Sequence, residues 1–494
     1  MKKSKLFRTL ALMLTVIMTV SLFSACGGDD YEEIVSYIDV SVDQDTSDVG
    51  TASDTASGSS KADNTASTAS TASTASTASK NTGSTASNKN NGGGTTNNSN
   101  SVNPADYKGT TVIYATWDRS EGTDTSAVIA NFKKKYGINV TIQTVGQGNY
   151  VQSITGLIAS GKSPDVIKDC GFWPTFLTIA QPLQNAKMDL TDPIYDQNKI
   201  KQSTINGKTY TVSSLGPIFN YVECVFYNKK LLNQNGIKTP EDYKKIGQWN
   251  YEALDKIGRE TAALGSQYKG FFADHFGYQL AKSLGYDFYT YNNGKVSTIN
   301  FSDPTYLKIA EQISTWNQDG ILATARETFI EGKCALAISG SYGCLKTGYW
   351  YQMSSMWKDI GIIEFPSFEG KQPVRQVGWN GYGICEGAKN PIAAGIFLRY
   401  YLDCNNYDLK NEFISDAALD FVTKHSSESY EGPIVLSEGA YDALGYDSMI
   451  RYYWQLMAEA PGQVQSLIKS LEPVLNNDVK NLNSYIAKQI SEKK

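Results

Sequence analysis

Five alternating segments constrain the fold of this chain more than any other feature of its sequence. Three of them, 110–117 (TTVIYATW), 138–145 (INVTIQTV) and 164–169 (PDVIKD), are short and rich in apolar residues, as strands of a sheet are. The two between them, 125–137 and 150–161, space apolar side chains as a helix does and end at a glycine. Strand, helix, strand, helix, strand in this order predicts right-handed βαβ units, a mostly parallel sheet and an α/β fold.

Aromatic and acidic residues follow two of these predicted strands. Trp117 and Asp118 come after the first strand, and Asp169 and Trp173 come at the end of the third. Ligands of parallel sheets bind just beyond the carboxyl ends of the strands, so we predict that these four residues bind a ligand. A second interpretation stays open, in which the two tryptophans only plug the end of the sheet.

The composition excludes some classes of partner. The net charge is −5 over 494 residues, and no basic patch is present that would attract nucleic acid. The chain holds two histidines, His275 and His425, and no Cys/His cluster with zinc spacing. We therefore predict no nucleic-acid partner, no metal and no cofactor.

The first 26 residues are typical of an export signal. Lysines and an arginine precede an apolar run from Leu10 to about Phe23, which is shorter than the roughly 20 residues that a membrane-spanning helix needs. The stretch FSAC then resembles the lipobox of bacterial lipoproteins. This predicts a signal peptide over 1–25 and a lipidated Cys26 that anchors the protein on the outer face of the bacterial cytoplasmic membrane. The alternative is a secreted protein that is cleaved after Ala25 and leaves the cysteine unmodified.

Residues 26–106 are predicted to form a disordered linker. From about Asp43 to Asn103 the chain is mostly Ser, Thr, Ala, Asn and Gly, with Thr-Ala-Ser repeats within 62–80. Such a segment holds too little apolar surface to offset the entropy of ordering. Residues 31–42 alternate like a strand, but the sequence offers no partner for them. A flexible chain of about 60 residues has an r.m.s. span of roughly 45 Å, which suits a tether.

Six further cysteines are scattered over the rest of the chain, namely Cys170, Cys224, Cys334, Cys344, Cys385 and Cys404. An even number in an exported protein permits disulfides. Their positions within apolar runs fit buried free thiols equally well. We expect free thiols.

Two helices are predicted in the second half of the chain. Residues 301–320 have a proline in the first turn and end at a glycine, and Trp316 falls on the apolar face, so we expect it in the core. Residues 461–475 also place their apolar side chains on one face. Pro473 is expected to kink or end this second helix.

Five segments, in order along the chain, carry a resemblance to a known family. They are VIANFKKKYGINV, IASGKSPDVI, INGKTYTVSSLGPIFNYVECVFYNKKLLNQNGIKTPEDY, FIEGKCALAISGSYG and QVGWNGYGICEGAKNPIAAGIFLRYYLD. Together they make the chain from about 108 to 490 similar to the extracellular solute-binding proteins of carbohydrate ABC transporters, of the maltodextrin-binding type.

The resemblance implies an α/β, two-lobed periplasmic-binding-protein-like fold with crossing hinge strands, over residues 107–494. Lobe one would take about 107–217 and 375–428, and lobe two about 225–372. The C-terminal helices, 430–494, would pack mainly on lobe two. The protein would be a monomer and not an enzyme.

The resemblance also implies further ligand-binding positions. On the crossing strands and in lobe two these are Asn220, Tyr221, Glu223, Tyr342, Trp379, Asn380 and Trp454. A sugar presents C–H patches that aromatic faces match and hydroxyls that acids and amides match. For Tyr221 and Glu223 a structural role in the hinge stays open, and for Trp454 a role in the core.

The function implied is capture of an oligosaccharide between the lobes and its delivery to an ABC permease in the membrane. The alternative is a surface glycoside hydrolase with paired carboxylates, although the sequence shows no nucleophile elbow, metal motif or phosphate loop. A third interpretation is a surface adhesin in which the linker serves as a stalk, which the βαβ pattern disfavours.

Shortening the linker should separate its role from that of the folded body. Deletion within 43–103 should slow solute uptake by cells, because the body could no longer reach as far from its anchor. The affinity of the purified protein for its ligand should stay unchanged, as measured by calorimetry. A changed affinity would contradict the tether interpretation.

Overall fold

The computed structural model describes most of the chain after residue 101. The described residues are 102–117, 125–146, 149–170, 172–173, 175–219, 222–272, 280–281, 283–285, 289–292, 295–298, 303–323, 325, 327–346, 351–373, 380–426, 434–435 and 462–493. The predicted signal peptide, Cys26 and almost all of the predicted linker lie outside these ranges.

Strands and helices alternate through the described part of the chain. The strands are β1 (Thr111–Thr116), β2 (Asn139–Thr144), β3 (Val166–Cys170), β4 (Ala180–Gln181), β5 (Thr204–Ile205), β6 (Lys208–Thr209), β7 (Glu223–Asn228), β8 (Lys269–Phe272), β9 (Tyr289–Asn292), β10 (Lys295–Thr298), β11 (Leu322–Ala323), β12 (Cys334–Gly340), β13 (Ile360–Ile363), β14 (Asn380–Cys385) and β15 (Ile434–Val435). The α-helices are α1 (Thr125–Tyr136), α2 (Tyr150–Ala159), α3 (Gln197–Gln202), α4 (Lys229–Gln234), α5 (Pro240–Lys245), α6 (Tyr251–Ala262), α7 (Pro304–Gln318), α8 (Glu327–Ile330), α9 (Pro391–Tyr401), α10 (Leu409–Glu412), α11 (Asp416–Ser426) and α12 (Val464–Glu492).

The first sheet has five strands in the order β2-β1-β3-β14-β4. Strand β1 pairs in parallel with both β2 and β3, and β14 is antiparallel to its neighbours. The five predicted segments at the start of the folded region are therefore confirmed as β1, α1, β2, α2 and β3. We call this sheet and the helices packed on it lobe one.

Both faces of the lobe-one sheet are covered. The buried Tyr114 side chain packs with α1 and α9 in one apolar cluster, which includes Phe132 and Phe397. The next residue along the strand, Ala115, lies in another cluster together with Ile154 of α2. Successive side chains of a strand point to opposite faces, so the sheet is buried on both sides, as parallel sheets are.

The second large sheet also has five strands, in the order β11-β8-β12-β7-β13. Strand β8 pairs in parallel with β11 and β12, whereas β7 runs antiparallel to β12 and β13. We call this sheet and the helices packed on it lobe two. Trp316 of α7 is fully buried there and donates its indole N–H to Asp255 at 2.7 Å, which confirms the predicted core position.

Helix α11 packs on lobe two. It contacts β13 and the 3-10 turn Ser341–Cys344, and just before it the backbone N–H of Ile414 donates to the carbonyl of Cys344 at 2.9 Å. The sequence-based boundary of lobe one at residue 428 would include this helix. We propose instead that the second stretch of lobe one ends near Tyr407, the last residue within the described ranges that is buried in the apolar cluster of Tyr114.

Helix α12 contacts both lobes. It packs against α7 and β10 and also against the 3-10 segment Thr175–Thr178 of lobe one. Just beyond its C-terminus, the ammonium of Lys493 donates to the carbonyl of Ala180 at 2.9 Å and lies 3.8 Å from the carboxylate of Glu386. The helix therefore runs from one lobe to the other.

The helix does not end at Pro473, which lies inside it. A proline in a helix interior costs about 3 kcal/mol. Beyond it, Leu475, Leu482 and Ile486 are buried, and each buried aliphatic side chain contributes roughly 1.5–3 kcal/mol. Packing of the second half of the helix thus outweighs the local preference of the proline.

Within the described ranges, no helix combines the length and the apolar character needed to cross a membrane.

Candidate ligand-binding site

The carboxyl ends of β1 and β3 lie at one edge of the lobe-one sheet, because the two strands pair in parallel. Strand β14 begins at the same edge, since Asn380 pairs with Cys170 at the end of β3. The structure therefore brings Trp117, Asp169 and the backbone of Asn380 to one edge, as the sequence pattern predicts for the first two residues and the resemblance implies for the third. The side chain of Asn380 lies outside the described part.

Trp117 is half-buried at this edge and is held by aromatic contacts. Its indole meets the rings of Tyr150 and Phe172 edge-on, at centroid distances of 5.4 and 6.1 Å. Those two rings stack on each other at 5.4 Å and 6°. The ammonium of Lys168 lies 4.6 Å from the centroid of Trp117, which is cation–π geometry. We call Trp117, Tyr150 and Phe172 the aromatic cluster. The rings of Tyr150 and Phe172 hold the indole of Trp117 in a defined orientation.

The hydroxyl of Tyr150 ties β1 to β3 beneath this cluster. It donates a hydrogen bond to the carbonyl of Ala115 at 2.8 Å and accepts one from the backbone N–H of Lys168 at 3.0 Å. Tyr150 is 1 % exposed, so both bonds are shielded from water. One side chain of α2 therefore spans the ends of the two strands that carry the predicted site.

Asp169 and Trp173 are fully buried at the same edge. The carboxylate of Asp169 accepts a hydrogen bond from the backbone N–H of Phe172 at 2.8 Å. Because Phe172 packs on Trp117, Asp169 supports the aromatic cluster from within the protein. Direct contact of Asp169 or Trp173 with a ligand stays a prediction, and it would require that their surroundings open.

The second predicted group of residues lies at one edge of the lobe-two sheet. Glu223, half-buried, begins β7 and pairs with Gly340, the last residue of β12. The chain then continues into the 3-10 turn Ser341–Cys344, whose backbone holds Tyr342. Glu223 and the backbone of Tyr342 are therefore neighbours at the carboxyl end of β12; the side chain of Tyr342 lies outside the described part.

Both edges adjoin the segments in which the chain passes between the lobes. On the outward passage the chain runs beside β14, where Val212 and Tyr382 exchange backbone hydrogen bonds of 2.9 and 2.8 Å, and it then enters β7 at Glu223. The return passage reaches lobe one at Asn380, the first residue of β14. The described members of the predicted site thus lie at the ends of their sheets where the crossings join, namely Trp117, Asp169, Glu223 and the backbones of Tyr342 and Asn380.

Five further predicted site residues fall outside the described ranges, namely Asp118, Asn220, Tyr221, Trp379 and Trp454. Their roles stay predictions. Within the part that the structure describes, no three His, Cys, Asp or Glu side chains cluster closely enough to hold a metal ion.

The chain matches the family model of the bacterial extracellular solute-binding proteins over residues 116–403, more than half of its length. The chain belongs to this family. No protein of curated function matches the sequence.

Solved solute-binding proteins share the fold of this one at low sequence identity. The maltose/maltodextrin-binding domain from Bdellovibrio bacteriovorus, bound to maltotriose, has a TM-score of 0.55 and 18% identity, over 75% of this chain and all of that one. The galacto-N-biose-/lacto-N-biose I-binding protein from Bifidobacterium longum has a TM-score of 0.54 and 12% identity, over 75% and 97%. An ABC substrate-binding protein from Listeria monocytogenes, in complex with cycloalternan, has a TM-score of 0.51 and 15% identity, over 76% and 99%. The likeness confirms the two-lobed α/β fold.

Sequence reasoning missed two residues of this solute-binding protein that shape the lobe-one edge, Tyr150 and Lys168. Lys168 directly precedes Asp169 in β3. Because side chains alternate along a strand, the sequence places Lys168 on the face of β3 opposite to that of Asp169. Tyr150 is the first residue of α2. A tyrosine that begins a helix between two predicted strands is a usable signal, because that end of the helix lies next to the carboxyl ends of the strands.

A separate groove of about 1040 Å³ lies on lobe two. It is lined by the first turn of α6, by α7, by the segment 367–372 and by Gln465 of α12. No predicted ligand residue lines it, so the groove is distinct from the candidate site.

Replacing Tyr150 by phenylalanine tests the link between β1 and β3. Tyr150→Phe should lower the free energy of unfolding by about 1–3 kcal/mol, because a buried donor and a buried acceptor lose this partner. It should also speed hydrogen exchange of the Lys168 amide. Urea denaturation and exchange measured by mass spectrometry check the two effects.

Tyr407→Phe is the matched control. That hydroxyl is also buried and donates to the carbonyl of Tyr401 at 3.0 Å, in the other apolar cluster of lobe one. It should cost similar stability and leave exchange at Lys168 unchanged. Equal exchange at Lys168 in both variants would show that Tyr150 does not link the strands.

Proposed function

We propose that this solute-binding protein captures an oligosaccharide between its lobes and delivers it to an ABC permease. The observation that supports a sugar most directly is the aromatic cluster at the carboxyl edge of the lobe-one sheet. The half-buried indole of Trp117 can stack on the C–H face of a sugar ring. The solved relatives with maltotriose, cycloalternan and lacto-N-biose are in keeping with this ligand class.

The mechanism we propose is closure of the lobes around the ligand. Trp117 and Asp118 would contact the sugar from lobe one, and Glu223 and Tyr342 from lobe two. The crossing residues, Asn220, Tyr221, Trp379 and Asn380, and also Trp454, would complete the site. A ligand that contacts both lobes binds the closed arrangement better than the open one, and it therefore shifts the population towards closure.

Asp169 and Trp173 have a supporting place in this proposal. Both are fully buried, so they would act on the ligand through the aromatic cluster unless the edge opens on binding. Lys168, whose ammonium lies over Trp117, would move aside or turn its charge towards the sugar hydroxyls.

We propose binding without chemical turnover. Membership of a solute-binding family supports this over a surface glycoside hydrolase. A hydrolase needs two carboxylates that flank the scissile bond, whereas the described carboxylate of Asp169 is buried and bonded to a backbone N–H.

The protein would work on the extracellular side as a lipid-anchored monomer. A bacterial extracellular family supports the location. The lipobox-like FSAC supports the anchor, and the Ser/Thr/Ala/Asn composition of 26–106 supports a flexible tether between Cys26 and the folded body.

A panel of oligosaccharides tests the ligand class. At least one should bind with a change in tryptophan fluorescence, and Trp117→Ala should weaken that binding tenfold or more, since loss of a stacking aromatic typically costs at least about 1.4 kcal/mol. Trp117→Phe should retain most of the affinity. Calorimetry gives the constants, and chromatography should detect no cleavage of the bound sugar.

Trp316→Phe is the control for this series. Trp316 is a fully buried lobe-two residue whose indole N–H donates to the carboxylate of Asp255 at 2.7 Å, beside the groove that no predicted ligand residue lines. Its replacement should leave the affinity unchanged. No binding across a broad panel would refute the sugar proposal, and cleavage of a bound glycan would favour the hydrolase.

Replacing Cys26 tests the anchor separately. Cys26→Ala should release the protein from the membrane fraction into the medium, because a single residue would carry the acyl chains. Fractionation of cells followed by immunoblotting measures this. Retention of the variant at the membrane would exclude anchoring through this cysteine.

A further inference from the structure

Two buried thiols of lobe two touch each other. Cys224 in β7 and Cys344 in the 3-10 turn after β12 are both 0 % exposed. Both side chains belong to one apolar cluster, in which the two thiols are hydrogen-bond partners. Strand pairing brings the two segments together, because Cys224 lies opposite Ser339 and Cys344 ends the 3-10 turn that directly follows β12.

A third buried thiol nearby cannot join this pair. Cys334 lies in the same apolar cluster, but it begins β12, five residues before Ser339. Five residues of extended strand span about 16 Å, and a disulfide requires Cα atoms within roughly 7 Å. The thiol of Cys334 instead donates to the carbonyl of Leu336 at 3.4 Å.

The compartment favours oxidation of a thiol pair. The chain belongs to an extracellular family, and disulfides form and persist in extracellular proteins. A bridge between Cys224 and Cys344 would close a loop of about 120 residues, and constraining a loop of that length in the unfolded chain is strongly stabilising.

We infer that Cys224 and Cys344 form an intramolecular disulfide when the exported chain folds in the presence of a small disulfide oxidant. One protein thiolate attacks a sulfur of the oxidant, such as oxidised glutathione, and displaces one glutathione thiolate. The second protein thiolate attacks the protein sulfur of this mixed disulfide and displaces the other glutathione. The protein sulfurs lose two electrons in total, the oxidant gains them, and the two thiol protons pass to the released glutathiones.

The timing follows from burial. Burial raises the pKa of the Cys224 thiol well above its usual range, with a further rise from the hydrogen bond to Cys344. Thiolate is therefore scarce at this position in the folded protein, and a small oxidant has no path to sulfurs that are 0 % exposed. Oxidation takes place while the chain folds, and the folded reduced protein resists it.

Peptide mapping tests the bridge. The full chain is unfolded with reductant, refolded with oxidised and reduced glutathione, and then treated with N-ethylmaleimide in denaturant. Non-reducing mass spectrometry should find a peptide pair that joins Cys224 to Cys344, with maleimide on Cys334. Maleimide on both Cys224 and Cys344, or a bridge that includes Cys334, would overturn the inference.

Thermal unfolding provides a second readout with matched variants. Oxidative refolding should raise the Tm by roughly 3 °C or more in the native chain and in Cys334→Ala. Cys344→Ala and Cys224→Ala should show no such gain, although each loses a comparable buried sulfur. An equal gain in all four proteins would refute the disulfide.

The bridge would also bear on ligand binding, a consequence that rests on the proposed function. Cys224 follows Glu223, and Cys344 comes two residues after Tyr342, so the disulfide would fix two predicted ligand positions relative to each other. The mapping uses no sugar, and its failure is therefore distinguishable from failure of the proposed function.

Discussion

The parallel pairing of β1 with both of its neighbours is the constraint on which the rest of lobe one depends. Parallel strands end together, so residues that follow them in sequence meet at one edge of the sheet. The hydroxyl of Tyr150 then joins Ala115 and Lys168 where the strands part, with bonds of 2.8 and 3.0 Å. The position of Trp117 follows from these two facts, because its ring packs on Tyr150 and on the residue that Asp169 holds in place.

Periodicity in the sequence was sufficient to predict the elements of this sheet but not the exposure of its residues. The predicted strand 138–145 is β2, Asn139–Thr144, and the predicted helix 125–137 is α1. Trp117 and Trp173 looked alike in sequence, since both follow a strand. One is half-buried and the other is fully buried. That difference arises from side chains that pack on them from distant positions in the chain, and a pattern within one segment carries no information about such contacts.

Tertiary packing decides where two helices lie. Pro473 lies inside α12 because the residues beyond it are buried against the rest of the protein. Helix α11 packs on lobe two because backbone hydrogen bonds join its approach to the turn that ends at Cys344. For α12, packing outweighs the local preference of the proline to end a helix. The boundary of lobe one stays a prediction. The resemblance to a family supplied the two-lobed arrangement, which composition and spacing alone could not.

A helix that contacts both lobes limits how they can move. With 29 residues at a rise of 1.5 Å each, α12 is a helix about 43 Å long, and its hydrogen-bonded backbone fixes this length. Pulling the lobes apart along it would expose buried side chains such as Ile486, whereas the polar contacts of Lys493 can be exchanged for water at little cost. Rotation of one lobe about the long axis of α12 changes neither the length of the helix nor the distance between its two ends. The motion that α12 opposes least is therefore a twist, and translation of one lobe away from the other is the motion it opposes most.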